Sequence, residues 1–475
     1  NDRIILPLLP PVAETQVSSR DLTTWLDSGA HDGNVIYISF GTMIGDASEI
    51  TETLIPILLR NGKRVLVQTC AGSPKAIGNE RHVRYESWLD QNAILSHRLV
   101  DGIITHGGAG TLQEAIWHAK PLLCLPHAWD QYYNSWVIEN LKIGVVGAGS
   151  WGTALANLLA AKGYGIDLWV YESEVIAQIE QERENKVFLP EILLGSTVKP
   201  TADMAVASGG KDLVLVVVPS HVMRETMLQM REHIPREAIV VTASKGIENA
   251  THLTMTGVLN QTLPHVPQEQ LAVLSGPSFA REVAMGFPTA VTVAAKDLAV
   301  AALVQHVFAT SSFRVYTNDD VLGVELGGAV KNVIAIATGV IDGLGLGLNT
   351  RAALITRGQT EIRRLGVALG AKPRTFTGLA GIGDLILTCT GTLSRNHTLG
   401  QKIGRGMNLK DILAEMRMVA EGVKTSQSVY NLSRKLGVEM PICHATYHIL
   451  YDDLAPEVAL QRLMTRELKY ELDEE

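Results

Sequence analysis

"LKIGVVGAGSWGTALANLLAAKG", residues Leu141–Gly163, sets an apolar run against three glycines and then a helix-length segment. Gly147, Gly149 and Gly152 form GxGxxG, with Ser150 and Trp151 between the second and third glycines. The first glycine permits a tight turn, and the second lets backbone approach a pyrophosphate. The third allows a helix to pack closely on the strand, and the phosphates rest on that helix's N-terminus. Alone, the pattern also fits a plain turn. A second strand ends at Tyr171 and Glu172, about twenty residues after Gly152, where an acidic group meets a ribose 2′-hydroxyl. Glu172 as a merely solvated strand end is the alternative.

The motif lies well inside the chain, so the flanking blocks matter. Before it, "NVIYISFG", "RVLVQTC", "DGIITHGG" and "PLLCLP" alternate with "EITETLIPILLRNG" and "TLQEAIWHAK". Strands alternating with helix-length segments predict an α/β block with a parallel sheet. From Lys142, strand candidates "KIGVVG", "GIDLWVYE", "DLVLVVVP", "EAIVVTASKG", "LAVLSG", "TAVTVAA" and "FRVYTND" predict a Rossmann-type doubly wound sheet. From Val321 helix-period stretches dominate, among them "LGVELGGAVKNVIAIATGVIDG", "NTRAALITRGQTEIRRLGVALG" and "NLKDILAEMRMV". The expected domains are 1–141, 142–320 and 321–475, the last all-helical.

Composition narrows the function classes. The 475 residues are 46% hydrophobic and 19% charged, with a net charge of −8 and mixed signs. No basic stripe suits a phosphate backbone, so nucleic acid is not an expected partner. Cys70, Cys124, Cys389 and Cys443 form no CxxC pair, which argues against zinc or a disulfide framework. Unbroken apolar runs such as "LVLVVVP" are strand-sized, so no membrane span is expected. Asn1–Pro11 lacks a basic start and a small-residue cleavage pattern, and the expected compartment is the cytoplasm.

"GAGSWGTA", "TASKGIE", "SGPSFA", "VELGGAVKNVIAIATG", "GLAGIGDLILTC", "SRNHTLG" and "VAEGVKT" follow one another in the order and spacing of bacterial-type NAD(P)-dependent glycerol-3-phosphate dehydrogenases. The resemblance runs from Lys142 to near the C-terminus. It implies interconversion of dihydroxyacetone phosphate and sn-glycerol 3-phosphate by hydride transfer, feeding phospholipid synthesis. A homodimer is a further expectation.

The residue types suit that chemistry. Ketone reduction needs a hydride donor, a cation at the carbonyl oxygen and a clamp on the phosphate. The resemblance makes Lys331 the acid/base lysine. Gly327 and Gly328 before it would each cost a helix ~1 kcal/mol relative to alanine unless close approach requires them. Lys245 follows a strand, where substrate and cofactor meet in doubly wound folds. Asp384 and Thr388 are four apart and share a face if helical. The resemblance puts Asp384 in the substrate site, where it could orient a lysine, although capping a helix would also suit it. Arg395, between Ser394 and Asn396, can grip a phosphate bidentately.

By the same resemblance Gly276 and Ser278 line the substrate, and Ala280 lies near the cofactor. Val419 and Glu421 close over the nicotinamide. Relatives often carry Arg or His where this chain has Tyr171, so no cation there greets a 2′-phosphate, and NAD is slightly preferred over NADP.

The front block resembles the nucleotide-sugar donor box of GT-B glycosyltransferases on Trp88, Gln91, His106, Gly107, Gly108, Thr111, Glu114, Asp130 and Gln131. Trp88 would stack on a base, and "HGGAGT" with His106 would face a diphosphate at a helix start. Glu114 would take the ribose, and Asp130 and Gln131 the sugar. Ala109 and Gly110 depart from plant-type versions of the box. Because "YYNSWVIEN" runs straight into "LKIGVVG", 1–141 reads as a partial GT-B Rossmann-like block fused in front, by gene fusion or otherwise. A bifunctional or partner-completed transferase and a silent dinucleotide sensor are the competing functions; intact Lys245, Lys331, Asp384 and Arg395 argue against the sensor.

Overall fold

The computed structural model describes residues 20–28, 34–40, 48–69, 79–108, 111, 114–115, 118, 120–125, 141–416, 420–468 and 470–471. Two compact units emerge, Asn1–Leu141 with Ala309–Ser311, and Lys142–Phe308 with Ser312–Glu475.

The first unit holds a parallel sheet of β1 (Val35–Ser39), β2 (Arg64–Gln68), β3 (Val83–Glu86), β4 (Val100–Thr105) and β5 (Leu122–Cys124) in the order β3-β2-β1-β4-β5. The helices Arg20–Asp27 and Gln91–Ser96 pack Leu22, Leu26, Ile94 and Leu95 into one of its cores. The Ser48–Arg60 helix, with Pro56 inside it, brings Ile55 into the other.

The second unit's sheet contains β6 (Ile143–Val146), β7 (Ile166–Trp169), β10 (Val198–Thr201), β11 (Leu213–Val216), β12 (Ile239–Thr242), β13 (Leu271–Ser275), β14 (Thr289–Ala295) and β15 (Phe313–Asn318). Their order is β10-β7-β6-β11-β12-β13-β14-β15. β6, β11 and β12 are buried along their whole length, as expected of central parallel strands covered on both faces. The order reverses between β6 and β11, and the glycine turn leaves β6 at that switch point. A small antiparallel ribbon, β8 (Glu184–Asn185) with β9 (Leu189–Leu193), stands apart.

Two features add to the expected doubly wound sheet. β13 and β14 pair antiparallel, an arrangement common toward the edge of a mixed sheet. β10 was not signalled by hydropathy, because an edge strand reading "VKPT" tolerates both a lysine and a proline.

Beyond Asn318 the unit is helical. The Val321–Gly343 helix is its axis: 23 residues, long and apolar enough by length and composition to cross a bilayer. It is buried within the protein and carries Glu325, Lys331 and Asp342. Asp320 caps it, accepting from Gly323 N at 2.9 Å, Lys372 N at 2.8 Å and Thr375 Oγ1 at 2.6 Å. The Gly347–Ala368, Asp384–Thr390, Arg395–Gly404, Glu421–Leu436 and Pro441–Tyr451 helices surround it. The stretch expected to continue helically to Val419 stops at Glu415, and 417–419 lie outside the described residues.

The axial helix meets the Arg395–Gly404 helix glycine to glycine. A Cβ on Gly339 would overlap the His397 carbonyl, and one on Gly343 the Gln401 carbonyl at 2.5 Å. In return, a Cβ on Gly400 would overlap the Ile336 carbonyl, and one on Gly404 that of Val340. We expect Gly400→Ala to destabilise the protein by about 1–3 kcal/mol through overpacking, more than the ~1 kcal/mol that alanine gains over glycine in a helix. Urea denaturation followed by helical circular dichroism measures it; unchanged or raised stability would show that the crossing has room.

Candidate active site

A carboxylate binds the lysines together. Asp384, the first residue of its helix and 1% exposed, receives Lys245 Nζ on Oδ2 at 2.7 Å and Lys331 Nζ on Oδ1. Its side chain therefore holds ammonium groups and does not cap the helix. Thr388, one turn on, accepts from Lys331 Nζ at 2.7 Å while its hydroxyl donates to the Asp384 carbonyl at 2.6 Å. Lys245 also donates to Gly276 O at 3.1 Å. Two ammonium groups against one carboxylate leave an excess positive charge in a buried place, suited to an anionic substrate or a developing oxyanion.

Lys331 is 5% exposed, and one of its three N–H groups has no hydrogen-bond partner among the described residues. Burial, with Lys245 beside it, brings its pKa down to about 8 against the upward pull of Asp384. The paired glycines before it serve close approach: a Cβ on Gly327 would overlap the Ala380 carbonyl, and one on Gly328 would meet Ser275 Oγ at 2.5 Å.

The Arg395–Gly404 helix begins at the same end. Ser394 caps it through His397 N at 3.3 Å, and Arg395 stands exposed at its first residue. Asn396 Nδ2 donates to Asn332 Oδ1 at 3.0 Å, and its Oδ1 accepts from Gly422 N at 2.9 Å. Glu421 accepts from Ser220 N at 3.2 Å and from Ser220 Oγ at 2.5 Å, and burial raises its pKa. Ser220, just beyond β11, carried no sequence signal. Ser278 donates to Gly276 O at 3.0 Å, Gly276 holds φ +143°, and Ala280 starts a short helix. Val419 lies outside the described residues.

The glycine turn can hold a dinucleotide. Gly147 adopts φ +111°, and a Cβ on Gly152 would overlap its carbonyl. A Cβ on Gly149 would meet nothing within 4 Å, leaving backbone open to a ligand. Trp151 Nε1 is buried without a partner among the described residues, and Ser150 Oγ donates to Phe188 O at 2.6 Å. Glu172 stands at the start of the Ser173–Glu182 helix without capping it, beside a Tyr171 that is 81% exposed.

In the first unit, Gln91 Nε2 donates to Glu114 Oε2 at 2.7 Å, uniting two residues of the donor box. His106 is buried, Gly107 has φ +86°, Trp88 is exposed and Thr111 half-buried. Asp130 and Gln131, with Ala109 and Gly110, lie outside the described residues.

A glycine turn at a sheet's switch point, followed by a helical domain presenting a buried lysine, defines a nicotinamide-dependent dehydrogenase. Residues 142–301 match the family model for the NAD-dependent glycerol-3-phosphate dehydrogenase N-terminus, and 320–461 that for its C-terminus. A glycerol-3-phosphate dehydrogenase (NAD(P)+) of Geobacter sp. strain M21 is 58% identical over 330 residues, covering 70% of this chain and 98% of that protein. The corresponding protein of Leptospira biflexa is 47% identical over 331 residues, 70% of this chain and 99% of its own. The crystal structure of a glycerol-3-phosphate dehydrogenase from Coxiella burnetii, 42% identical, superposes with a TM-score of 0.66 over 68% of this chain and 98% of that one. The chain belongs to the NAD-dependent glycerol-3-phosphate dehydrogenase family. Residues 12–161 also match the family model for UDP-glucoronosyl and UDP-glucosyl transferase.

If Lys331 supplies a proton during ketone reduction, turnover falls as pH rises through about 8, where the lysine deprotonates. Asp384→Asn removes the charge that favours the ammonium, so the falling limb should move to lower pH by ~1 unit or more. Profiles of kcat for NADH oxidation against pH measure this; a limb moving upward or staying put would refute the assignment.

Proposed function

We propose that 142–475 reduces the ketone of dihydroxyacetone phosphate to sn-glycerol 3-phosphate, and reverses the reaction, as an NAD(P)-dependent oxidoreductase. The observation that carries the mechanism is Asp384 held between Lys245 and Lys331. Bound NADH or NADPH supplies the hydride to the carbonyl carbon. Lys331 Nζ gives a proton to the carbonyl oxygen as the electron pair moves onto it, and takes it back in oxidation. Asp384 and Thr388 aim that ammonium, and Lys245 adds positive charge beside it.

Arg395 and Asn396, with Ser394 at the helix start, take the substrate phosphate, and Gly276 and Ser278 line the glycerol portion. Gly147, Gly149, Ser150, Trp151 and Gly152 hold the pyrophosphate end of the cofactor, and Tyr171 and Glu172 its ribose. In the same reading Lys245, Ala280, Arg395 and Glu421 take the nicotinamide end. In this reading 142–320 binds cofactor and 321–475 substrate. A cytoplasmic homodimer serving glycerophospholipid synthesis completes it, on family resemblance alone.

For 1–141, a partial donor domain without independent transfer is the better reading than a working transferase. Residues 142–161 satisfy both the transferase and the dehydrogenase family models, yet β6 pairs with β7 and β11 in the dehydrogenase sheet.

Replacing Lys331 with Met keeps length and apolar packing while removing the charge, so kcat should fall by ~10²–10⁴ with cofactor binding retained. Arg395→Ala loses charge-assisted bonds of ~1.5–3 kcal/mol, appearing mainly in KM for dihydroxyacetone phosphate. Steady-state kinetics with NADH fluorescence titration separates the two; near-normal kcat in folded Lys331→Met moves the acid/base role elsewhere, with Lys245 next.

Cofactor choice follows from Glu172, which suits a ribose diol and repels a 2′-phosphate. NADH should therefore match or exceed NADPH in kcat/KM. A clear NADPH preference would mean that a cation elsewhere meets the 2′-phosphate.

A further inference from the structure

The β8–β9 ribbon takes no part in the large sheet, yet one of its residues is committed wholly to the glycine turn. Asn185, 0% exposed, donates from Nδ2 to the Ala148 carbonyl at 2.8 Å and to Thr153 Oγ1 at 2.9 Å. The Thr153 hydroxyl in turn donates to the same carbonyl at 3.1 Å. Asn185 Oδ1 accepts from Phe188 N at 3.0 Å, so every polar atom of the side chain is engaged. A buried polar network satisfied to this degree holds its members in one arrangement.

The arrangement bears on the motif's second glycine. Ala148 stands between Gly147 and Gly149, and its carbonyl is drawn inward by two donors. In a planar trans peptide the carbonyl and the N–H that follows it point in opposite directions, and no peptide among the described residues is cis. Holding Ala148 O inward therefore aims Gly149 N–H outward. That N–H makes no hydrogen bond among the described residues, and a Cβ on Gly149 would meet nothing within 4 Å. The donor faces open space at a helix start, where an anion can approach.

The ribbon is anchored independently of the turn. Leu194 N donates to Arg183 O at 2.8 Å and Arg183 Nε to Leu194 O at 3.0 Å, which closes its base. Arg281 holds its second strand, donating to Pro190 O at 3.1 Å and pairing with Glu191. Ser150 Oγ, bonded to Phe188 O, joins the following helix to the same ribbon. Asn185 is thus a fixed point against which the turn is set.

We propose that Asn185, backed by Thr153, is a positioning residue of the cofactor site: it pins Ala148 O from behind and so presents Gly149 N–H to the dinucleotide's pyrophosphate. Being buried, it acts only through the turn. The proposal deepens the reading of the glycine turn as the pyrophosphate seat and rests on it.

Binding is measured without turnover, by displacing fluorescent NADH with ADP and with adenosine in the absence of dihydroxyacetone phosphate. ADP carries the pyrophosphate and adenosine does not, so the ratio of their dissociation constants separates the phosphate seat from the adenosine pocket. In Asn185→Leu, close to the parent in shape, ADP should weaken by about tenfold or more, the ordinary weight of a hydrogen bond to a charged group, with adenosine within about twofold. Thr153→Val leaves Asn185 and the ribbon in place, removes one donor to Ala148 O, and decides the matter if Asn185→Leu does not fold. There ADP should weaken by about two- to threefold, and Thr153→Ser, which keeps the hydroxyl, should restore the parent ratio. A parent protein that binds ADP no more tightly than adenosine would remove the pyrophosphate seat, and the proposal with it. A parent that favours ADP, with variants that keep that preference or weaken both ligands alike, would overturn the role of Asn185 and leave the seat standing.

Discussion

The Asp384 carboxylate is the contact on which the catalytic unit turns. Two ammonium groups placed this close would repel; one carboxylate, 1% exposed, holds both. Removing one member of such a buried arrangement typically costs 3–5 kcal/mol, because it strands an uncompensated charge. The three residues come from separate places: the loop after β12, the axial helix and the Asp384–Thr390 helix. Their meeting ties the sheet to the helical part of the unit through two buried ion pairs.

That meeting demands unusually close backbones, and glycine supplies them. Gly327 and Gly328 let the axial helix press on Ala380 and Ser275, bringing Lys331 level with Asp384. Two turns further along, Gly339 and Gly343 interlock with Gly400 and Gly404, which sets the helix that begins at Arg395. So close a crossing fixes where Arg395, at the start of one helix, stands relative to Lys331 in the other. Glu421 reaching Ser220 adds a polar tie from the last part of the helical domain back to the sheet.

What was legible in the sequence was local. The glycine turn could be read because strand, turn and helix are contiguous, and Asp384 with Thr388 because a helix repeats every three to four residues. The expense of Gly327 and Gly328 in a helix pointed correctly to close approach. The bond from Lys245 to Asp384 was not written in any local pattern, since only the tertiary fold brings the loop after β12 to the Asp384–Thr390 helix. The four glycines of the helix crossing did carry a readable signal, a four-residue spacing in two helices, but spacing does not name its partner. The antiparallel turn of β14 and the edge strand at Val198–Thr201 escaped because alternation and apolarity report burial, not direction.

The double match of residues 142–161 bears on the order of events during synthesis. The front sheet is made first, and among the described residues β5 is its edge, offering one free ladder. β6 follows it out of the ribosome with a sequence that either kind of sheet accepts. Capture by β5 would satisfy one side of the strand, while β7 and β11, arriving later, satisfy both. The native pairing therefore wins at equilibrium. A strand that either kind of sheet accepts is settled by the number of ladders it can fill, and β7 and β11 fill both of those of β6.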